Sequence, residues 1–242
     1  MGLRRFFRNL RRDALLRRPS IDYEGLTVPT KRSGMNRDIL NHLYARLYER
    51  PEIEGLTRIV RPGDRVLELG AGLGIISALA ARAAGPEGQV RSYEANPSLL
   101  EDTRAFLAAN GIVTVDLVHA VLVSDLNPAP RRFHLSNSFA EGSLLPKEGQ
   151  DPAQTVEVPA ESLAAVLAEY RPDVLICDIE GAEVELFPAF PPSTLRAAVV
   201  ELHPDRLSPA QIQSIHDGLA AQGLHGQQPR PGGTVEIFAR RP

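Results

Sequence analysis

The sequence predicts an α/β protein built on a mostly parallel sheet with helices on both faces. From Asp64 onward, short β-rich runs alternate with stretches of helical period, the pattern of repeated βαβ units. The first run, Arg65-Val-Leu-Glu-Leu69, passes into a glycine-rich turn, Gly70-Ala-Gly72-Leu-Gly74, that opens a helix. The chain has 242 residues, 43% of them hydrophobic, which is apolar mass for one sizeable core.

Taken in order, Leu3, Phe6, Phe7, Leu10 and Ala14 fall on one helical face and Arg4, Arg5, Arg8, Arg11 and Arg12 largely on the other, so a short basic amphipathic helix is expected before Pro19. Residues 20–35 read as extended or loop-like. Residues 36–49 read as a helix capped by Asn36, with Ile39, Leu40, Leu43 and Leu47 on one face. This divides the chain into a basic lead-in, 1–35, and a main domain, 36–242. Strands are expected at 65–69, 89–94, 113–119, 173–178, 197–203 and 234–239, and helices at 74–84, 97–109, 160–170, 181–189 and 208–222. Residues 121–158 break the alternation with three strand-like pieces around a polar loop, an inserted β excursion of the kind that lies over a site. Gly232-Gly233 marks a turn into an antiparallel last strand.

Charge and composition exclude several classes. The first 20 residues hold seven Arg and one Asp, so a +6 head precedes a −9 body. Such a body is a poor nucleic-acid binder, and no nucleic-acid partner is expected. The head, over residues 3–18, has the chemistry to touch a membrane surface or a protein partner. Cys177 is the only cysteine, which excludes a disulfide scaffold and Cys-rich zinc sites and fits a reducing, cytoplasmic location. The longest apolar stretch, near Ile75 to Ala81, is far short of a membrane span.

The glycines let the backbone turn tightly and approach a ligand where a Cβ would collide. Their spacing is wrong for a dinucleotide fingerprint, because the sixth place counted from Gly70 is Ile75 and from Gly72 is Ser77. The second strand ends at Glu94-Ala95-Asn96, placing a carboxylate where a ribose diol would lie. NAD enzymes use the same acid, so this residue points to a nucleoside without choosing between ligands.

The pattern Glu68-Leu-Gly70-Ala71-Gly72-Leu-Gly74 resembles the first motif of class I S-adenosylmethionine-dependent methyltransferases. The run Asp173-Val-Leu-Ile-Cys-Asp178-Ile-Glu180-Gly181-Ala-Glu183 is similar to the signature of the FkbM methyltransferase family. Tyr48-Glu49, Thr155-Val-Glu-Val-Pro159 and Val199-Val-Glu201-Leu-His203-Pro204 agree in order, so the resemblance covers about residues 36–240. One departure is Ala160-Glu161-Ser162-Leu163, where family members often carry Thr-Leu-Asp. The resemblance implies a Rossmann-like fold with a seven-stranded sheet and S-adenosyl-L-methionine as cofactor. It also implies methyl transfer to a hydroxyl of a small sugar-like or polyketide-like acceptor.

Carried onto this chain, the cofactor-binding residues are Glu68, Gly70, Ala71, Gly72, Gly74, Glu94, Ala95, Asn96, His119, Ala120 and Asp178. Glu68 is expected to face the cationic amino-acid part of the cofactor, and His119 or the Ala120 backbone to meet the adenine. Asp178 is the first choice of catalytic residue, with Glu180 and His203 beside it, because all stand at or beyond strand ends. Glu183 is expected on the helix surface. Asp178, Glu201 and His203 also offer oxygen and imidazole ligands to a divalent cation, though spacing across separate strands is weak support for one. Acceptor contacts are expected from the insertion, at Phe133, Ser136, Asn137, Ser138, Phe139 and Ser143. N-methylation, a nucleotide-dependent oxidoreductase and a non-catalytic cofactor-binding protein are the competing readings.

Overall fold

The computed structural model describes residues 18–135, 142–144, 155–226 and 233–240. The basic helix expected over residues 3–14 lies outside them, as do Ser136, Asn137, Ser138 and Phe139. A hairpin, β1 (Ser20–Tyr23) and β2 (Leu26–Pro29), precedes two helices, α1 (Arg37–Ala45) and α2 (Arg50–Ile59). The alternating core follows as β3 (Arg65–Leu69), α3 (Ile75–Ala84), β4 (Gln89–Glu94), α4 (Pro97–Ala109) and β5 (Val115–His119). Next come β6 (Val121–Val123), β7 (Arg131–His134), β8 (Thr155–Val158) and β9 (Ala160–Ser162). The chain closes with α5 (Leu163–Tyr170), β10 (Val174–Cys177), α6 (Glu183–Leu186), β11 (Ala197–Glu201), α7 (Pro209–Ala221), β12 (Leu224–Gly226) and β13 (Val235–Arg240).

The main sheet has seven strands in the order β12-β13-β11-β10-β3-β4-β5. Neighbours from β11 to β5 pair in parallel, and β13 is antiparallel to β11 and β12. The period of two explains the two cores. Val66, Val174, Ile176 and Val199 face a cluster with α2, α3 and the hairpin, while Leu67, Leu69, Leu175, Cys177 and Val200 face one with α5, α6 and α7. The expected β excursion is present, with β6 pairing β9 in parallel and β7 pairing β8 antiparallel. A small third cluster of Ala95, Val121, Val123, Phe133 and Val158 packs it over the carboxyl end of β4.

Four expectations are corrected. The first helix stops at Ala45, where Arg46 takes a left-handed conformation (φ 56°), and a separate α2 follows with Pro51 in its first turn. Gly55 lets α2 lie close on β11, because a Cβ there would meet Val199 Cγ2 at 2.9 Å. The helix expected from residue 160 starts at Leu163, capped by Ser162, since residues 160–162 are held in the ladder with β6. Helix α6 is one turn only, with Pro188 two residues beyond its end. Residues 20–29 share the domain core through Ile21, Tyr23, Leu26 and Val28. The hairpin is tied down further, as the Asn110 side chain pairs with both Thr27 N–H and Thr27 O, and Tyr23 donates its hydroxyl to the Tyr48 carbonyl. The edge strand β12 was not expected at those residues. No described helix is long and apolar enough to cross a membrane.

Candidate active site

The glycine turn sits where β3 leaves the sheet between β4 and β10. Gly70 and Ala71 both donate their N–H groups to the Tyr93 carbonyl at 3.0 Å, which pins the turn to β4. Gly70 has φ 92° and lies against β10, so that a Cβ would fall 1.9 Å from the Asp178 carbonyl oxygen. Glu94 ends β4, and its carboxylate accepts from Gly72 N–H and Asn96 N–H, both at 2.7 Å. Burial raises the Glu94 carboxyl above its ordinary pKa, against the pull of the N–H groups of Asn96, Gly72 and Ala95. Asn96 then caps α4 by accepting from Ser98 N–H at 3.0 Å.

A cleft of about 810 Å³, open to solvent, lies over this turn. Of the residues singled out in the sequence, Gly70, Gly72, Glu94, Ala95, Ala120, Asp178 and Glu180 line it. Its far wall is apolar, from Val121, Leu122, Phe133, Leu144, Ala182 and Leu186, and suits a flat base. The insertion contributes Phe133 and Leu144 to this wall. Ser143 donates to the Glu180 carbonyl at 2.9 Å, joining the insertion to the loop after β10.

Glu68, Ala71, Gly74, Asn96 and His119 do not line the cleft. Glu68 shares the strand face of Val66, so it points beneath α3, is 1% exposed, and accepts the hydroxyls of Ser77 and Ser92. It braces the turn from below instead of facing a ligand. Ala71 spends its N–H on Tyr93, and Gly74 (φ 77°) starts α3 against Thr103. The His119 ring nitrogen Nε2 lies 3.2 Å from the Ala95 carbonyl oxygen.

Glu68 carries a pH dependence of its own. Burial lifts its carboxyl from 4.5 to about 7, against the two hydroxyl bonds and with a smaller push from the Glu94 charge. Between those pH values the folded chain binds the proton and the unfolded chain does not, so stability falls as pH rises through that window. The loss from pH 5 to pH 8 amounts to about 2–3 kcal/mol. Denaturant unfolding of wild type and Glu68→Gln at both pH values tests this. The wild type should lose that much more than the variant, and parallel losses would show that Glu68 does not titrate there.

Of the predicted cluster of Asp178, Glu201 and His203, Asp178 lines the cleft while Glu201 and His203 stand behind it and do not. Asp178 follows β10, Glu201 ends β11, and His203 lies two residues beyond, so adjacent parallel strands bring them together. Their ligand atoms all lie within 4.8 Å of one another. His203 is buried, with Nε2 3.4 Å from Asp178 Oδ1 and Nδ1 3.4 Å from Glu183 Oε1. Glu183 is fully buried and accepts from Ile179 N–H at 3.1 Å, which corrects its expected surface position. Glu180, left-handed at φ 58°, pairs its carboxylate with Arg206 and gives its carbonyl to Arg206 Nη1 at 2.7 Å. It is a clamp on the loop more than a free base.

Sequence reasoning missed two members. The first turn of α2 brings Glu49 and Glu52 toward Glu201, and Tyr48 and Glu49 line the cleft. Burial raises Glu49 and Glu52 to about 8 each, with Glu52 the main charge acting on Glu49 and Glu201 on Glu52. Burial and the charges of Glu201, Glu180, Glu49 and Glu52 hold Asp178 well above the usual carboxylate range. At His203, burial disfavours the charged ring but is outweighed by Glu183, Glu180 and Glu201, so its pKa is raised. The signal that could have found Glu49 and Glu52 was Pro51 opening a helix with Ile53, Leu56 and Ile59 on its buried side.

A sequence profile described as "Methyltransferase FkbM domain" matches residues 68–219. The ubiquinone/menaquinone biosynthesis C-methyltransferase UbiE of Burkholderia mallei (strain SAVP1) is 42% identical over 59 residues, 24% of this chain and 24% of that protein. The chain thus spans about a quarter of the length of the curated relatives it matches. Among solved structures, precorrin-6y C5,15-methyltransferase from Geobacter metallireducens GS-15 is 14% identical, with TM-score 0.46, over 80% of this chain and 89% of that one. Aeropyrum pernix fibrillarin, solved with natively bound S-adenosyl-L-methionine, is 13% identical, with TM-score 0.40, over 74% of this chain and 66% of that one. With the profile covering more than half of its residues, and with the seven-stranded, mostly parallel sheet that the resemblance implies, the chain belongs to the FkbM methyltransferase-domain family.

Proposed function

We propose that the protein transfers the methyl group of S-adenosylmethionine to a hydroxyl of a small polyhydroxylated acceptor. The observation that carries this is one continuous cleft lined by Gly70, Gly72, Glu94 and Asp178 together. In this reading Glu94 accepts from the ribose hydroxyls, the Ala95–Ala120 wall holds the base, and the sulfonium lies toward the carboxylates. Methyl transfer is an in-line displacement, so the protein must chiefly hold the acceptor oxygen on the sulfur–methyl axis and let its proton leave. In this reading Asp178 meets that hydroxyl, with His203 Nε2 3.4 Å from Asp178 Oδ1 behind it, and the acidic surroundings favour a sulfonium over a pyrophosphate-bearing cofactor.

Calorimetry with S-adenosylhomocysteine and NADH, followed by transfer of labelled methyl to a panel of sugars, polyols and amines, tests the proposal. The expected result is binding of the former alone and label on a hydroxylated acceptor. Label on amines alone would replace the oxygen reading by nitrogen methylation. NADH binding would turn the assignment toward an oxidoreductase. Cofactor binding with no transfer to any acceptor, and no effect of Asp178→Asn, would favour a non-catalytic protein.

A further inference from the structure

We infer that Asp178, Glu201 and His203 form a binding site for one divalent transition-metal ion beside the cleft. The inference rests on the proposed methyl transfer only for the hydroxyl such an ion would meet; the site itself stands on geometry. Two carboxylates and an imidazole have all ligand atoms within 4.8 Å of one another, and bonds of about 2.0–2.2 Å set ligand atoms at most about 4.4 Å apart, so small side-chain shifts bring the three round one ion. They come from the ends of adjacent parallel strands, which are rigid supports.

The surroundings are those of a ligand set. His203 has Nδ1 3.4 Å from Oε1 of the fully buried Glu183 and Nε2 3.4 Å from Asp178 Oδ1, so a carboxylate stands behind the ring, where it can orient a ligating imidazole. Glu201 Oε1 accepts from Thr234 Oγ1 at 2.8 Å, which fixes the second carboxylate. A separate observation is that buried carboxylate oxygens in and beside the three lack a donor. Glu52, on α2, is only 6% exposed, sits against Glu201, and its Oε2 is buried with no hydrogen-bond partner. Asp178 Oδ1 is likewise buried without a hydrogen-bond partner. Arg206, the guanidinium nearby, is already engaged by the Glu180 side chain and carbonyl.

The donor set selects the ion. An imidazole among two carboxylates favours Mn²⁺, Co²⁺ or Zn²⁺ over Mg²⁺ and Ca²⁺, which prefer all-oxygen surroundings. Three protein ligands are fewer than such an ion takes, and Asp178 is the one of the three that also lines the cleft. When bound, the ion supplies Lewis acidity that lowers the pKa of a coordinated hydroxyl.

The test uses the full chain after chelator treatment, titrated with Mn²⁺ and followed by electron paramagnetic resonance. One ion per chain is expected, with pulsed spectra showing coupling to one imidazole nitrogen. Asp178→Asn, Glu201→Gln and His203→Gln should each weaken binding at least tenfold, and Glu183→Gln about 10–100-fold. Thermal unfolding without metal separates ligation from damage. Asp178→Asn and Glu201→Gln relieve repulsion and should melt at or above wild type, while losing the rise that Mn²⁺ gives the wild type. No binding, binding without nitrogen coupling, or binding untouched by all four changes would overturn the site. Should a variant fail to fold, the wild-type pulsed spectrum still decides. S-Adenosylhomocysteine calorimetry on the same metal-free sample keeps the two readings apart, since its success with no Mn²⁺ binding removes the metal alone.

Discussion

Gly70→Ala is expected to abolish S-adenosylhomocysteine binding and to destabilise the fold by about 3 kcal/mol or more. A left-handed backbone costs a residue with a Cβ about 1–2 kcal/mol, and overpacking a tight site adds about 1–3 kcal/mol. Both apply here, because Gly70 has φ 92° and its Cβ would lie 1.9 Å from the Asp178 carbonyl oxygen and 3.0 Å from its carbon. Backbone meets backbone, so no side chain can rotate away, and the displaced segment carries Asp178 itself. Gly63→Ala is the matched comparison. Its φ is 87°, yet nothing lies within 4 Å of the added atom, so the strain stays while the collision is absent. That variant should lose about 1–2 kcal/mol and keep its ligand affinity. Equal effects of the two changes, by calorimetry and denaturant unfolding, would mean that the contact with Asp178 is not what the glycine protects.

Glu94→Ala is expected to weaken S-adenosylhomocysteine binding by about one to two orders of magnitude. A hydrogen bond to a charged group is worth about 1.5–3 kcal/mol, and each 1.4 kcal/mol is tenfold in affinity. The change removes the acceptor offered to the ribose. It also strips Gly72 N–H and Asn96 N–H of the partner each holds at 2.7 Å, leaving the turn and the start of α4 unbraced. Adenine alone does not reach the ribose acceptor, so its affinity should fall much less. Parallel losses for both ligands, measured by competition, would place the effect in loop disorder instead of ribose recognition.

The parts of the site that were legible in the sequence are those where the backbone imposes the residue type. Gly70 and Gly72 stand out because their conformations exclude a side chain, and Glu94 because it ends the neighbouring strand. Asp178 and His203 could be brought together on paper because both follow apolar runs long enough to be parallel strands. Glu68 was misplaced by position alone, since lying near a strand end does not say which face a side chain takes, and the pleat turned it toward Ser77 and Ser92. Glu183 looked like one more acid on a polar helix, and only the return of His203 from the next strand buries it. Glu49 and Glu52 lie far from Asp178 along the chain. Their arrival depends on α2 packing across β11 through Gly55, a contact that no local pattern announces.

The position of β3 has a consequence for how the protein is made. This strand pairs on one side with β4, which follows it after one helix, and on the other with β10, whose residues 174–177 are synthesised more than a hundred positions later. The β3–β4–β5 half can form early from near neighbours, while the other half must await long-range closure. The cleft straddles that seam, with Gly70 and Glu94 on the early side and Asp178 on the late side. A nascent chain therefore has the glycine turn and Glu94 before it has Asp178, and a ligand that needs the whole cleft can favour folding only after β10 has docked.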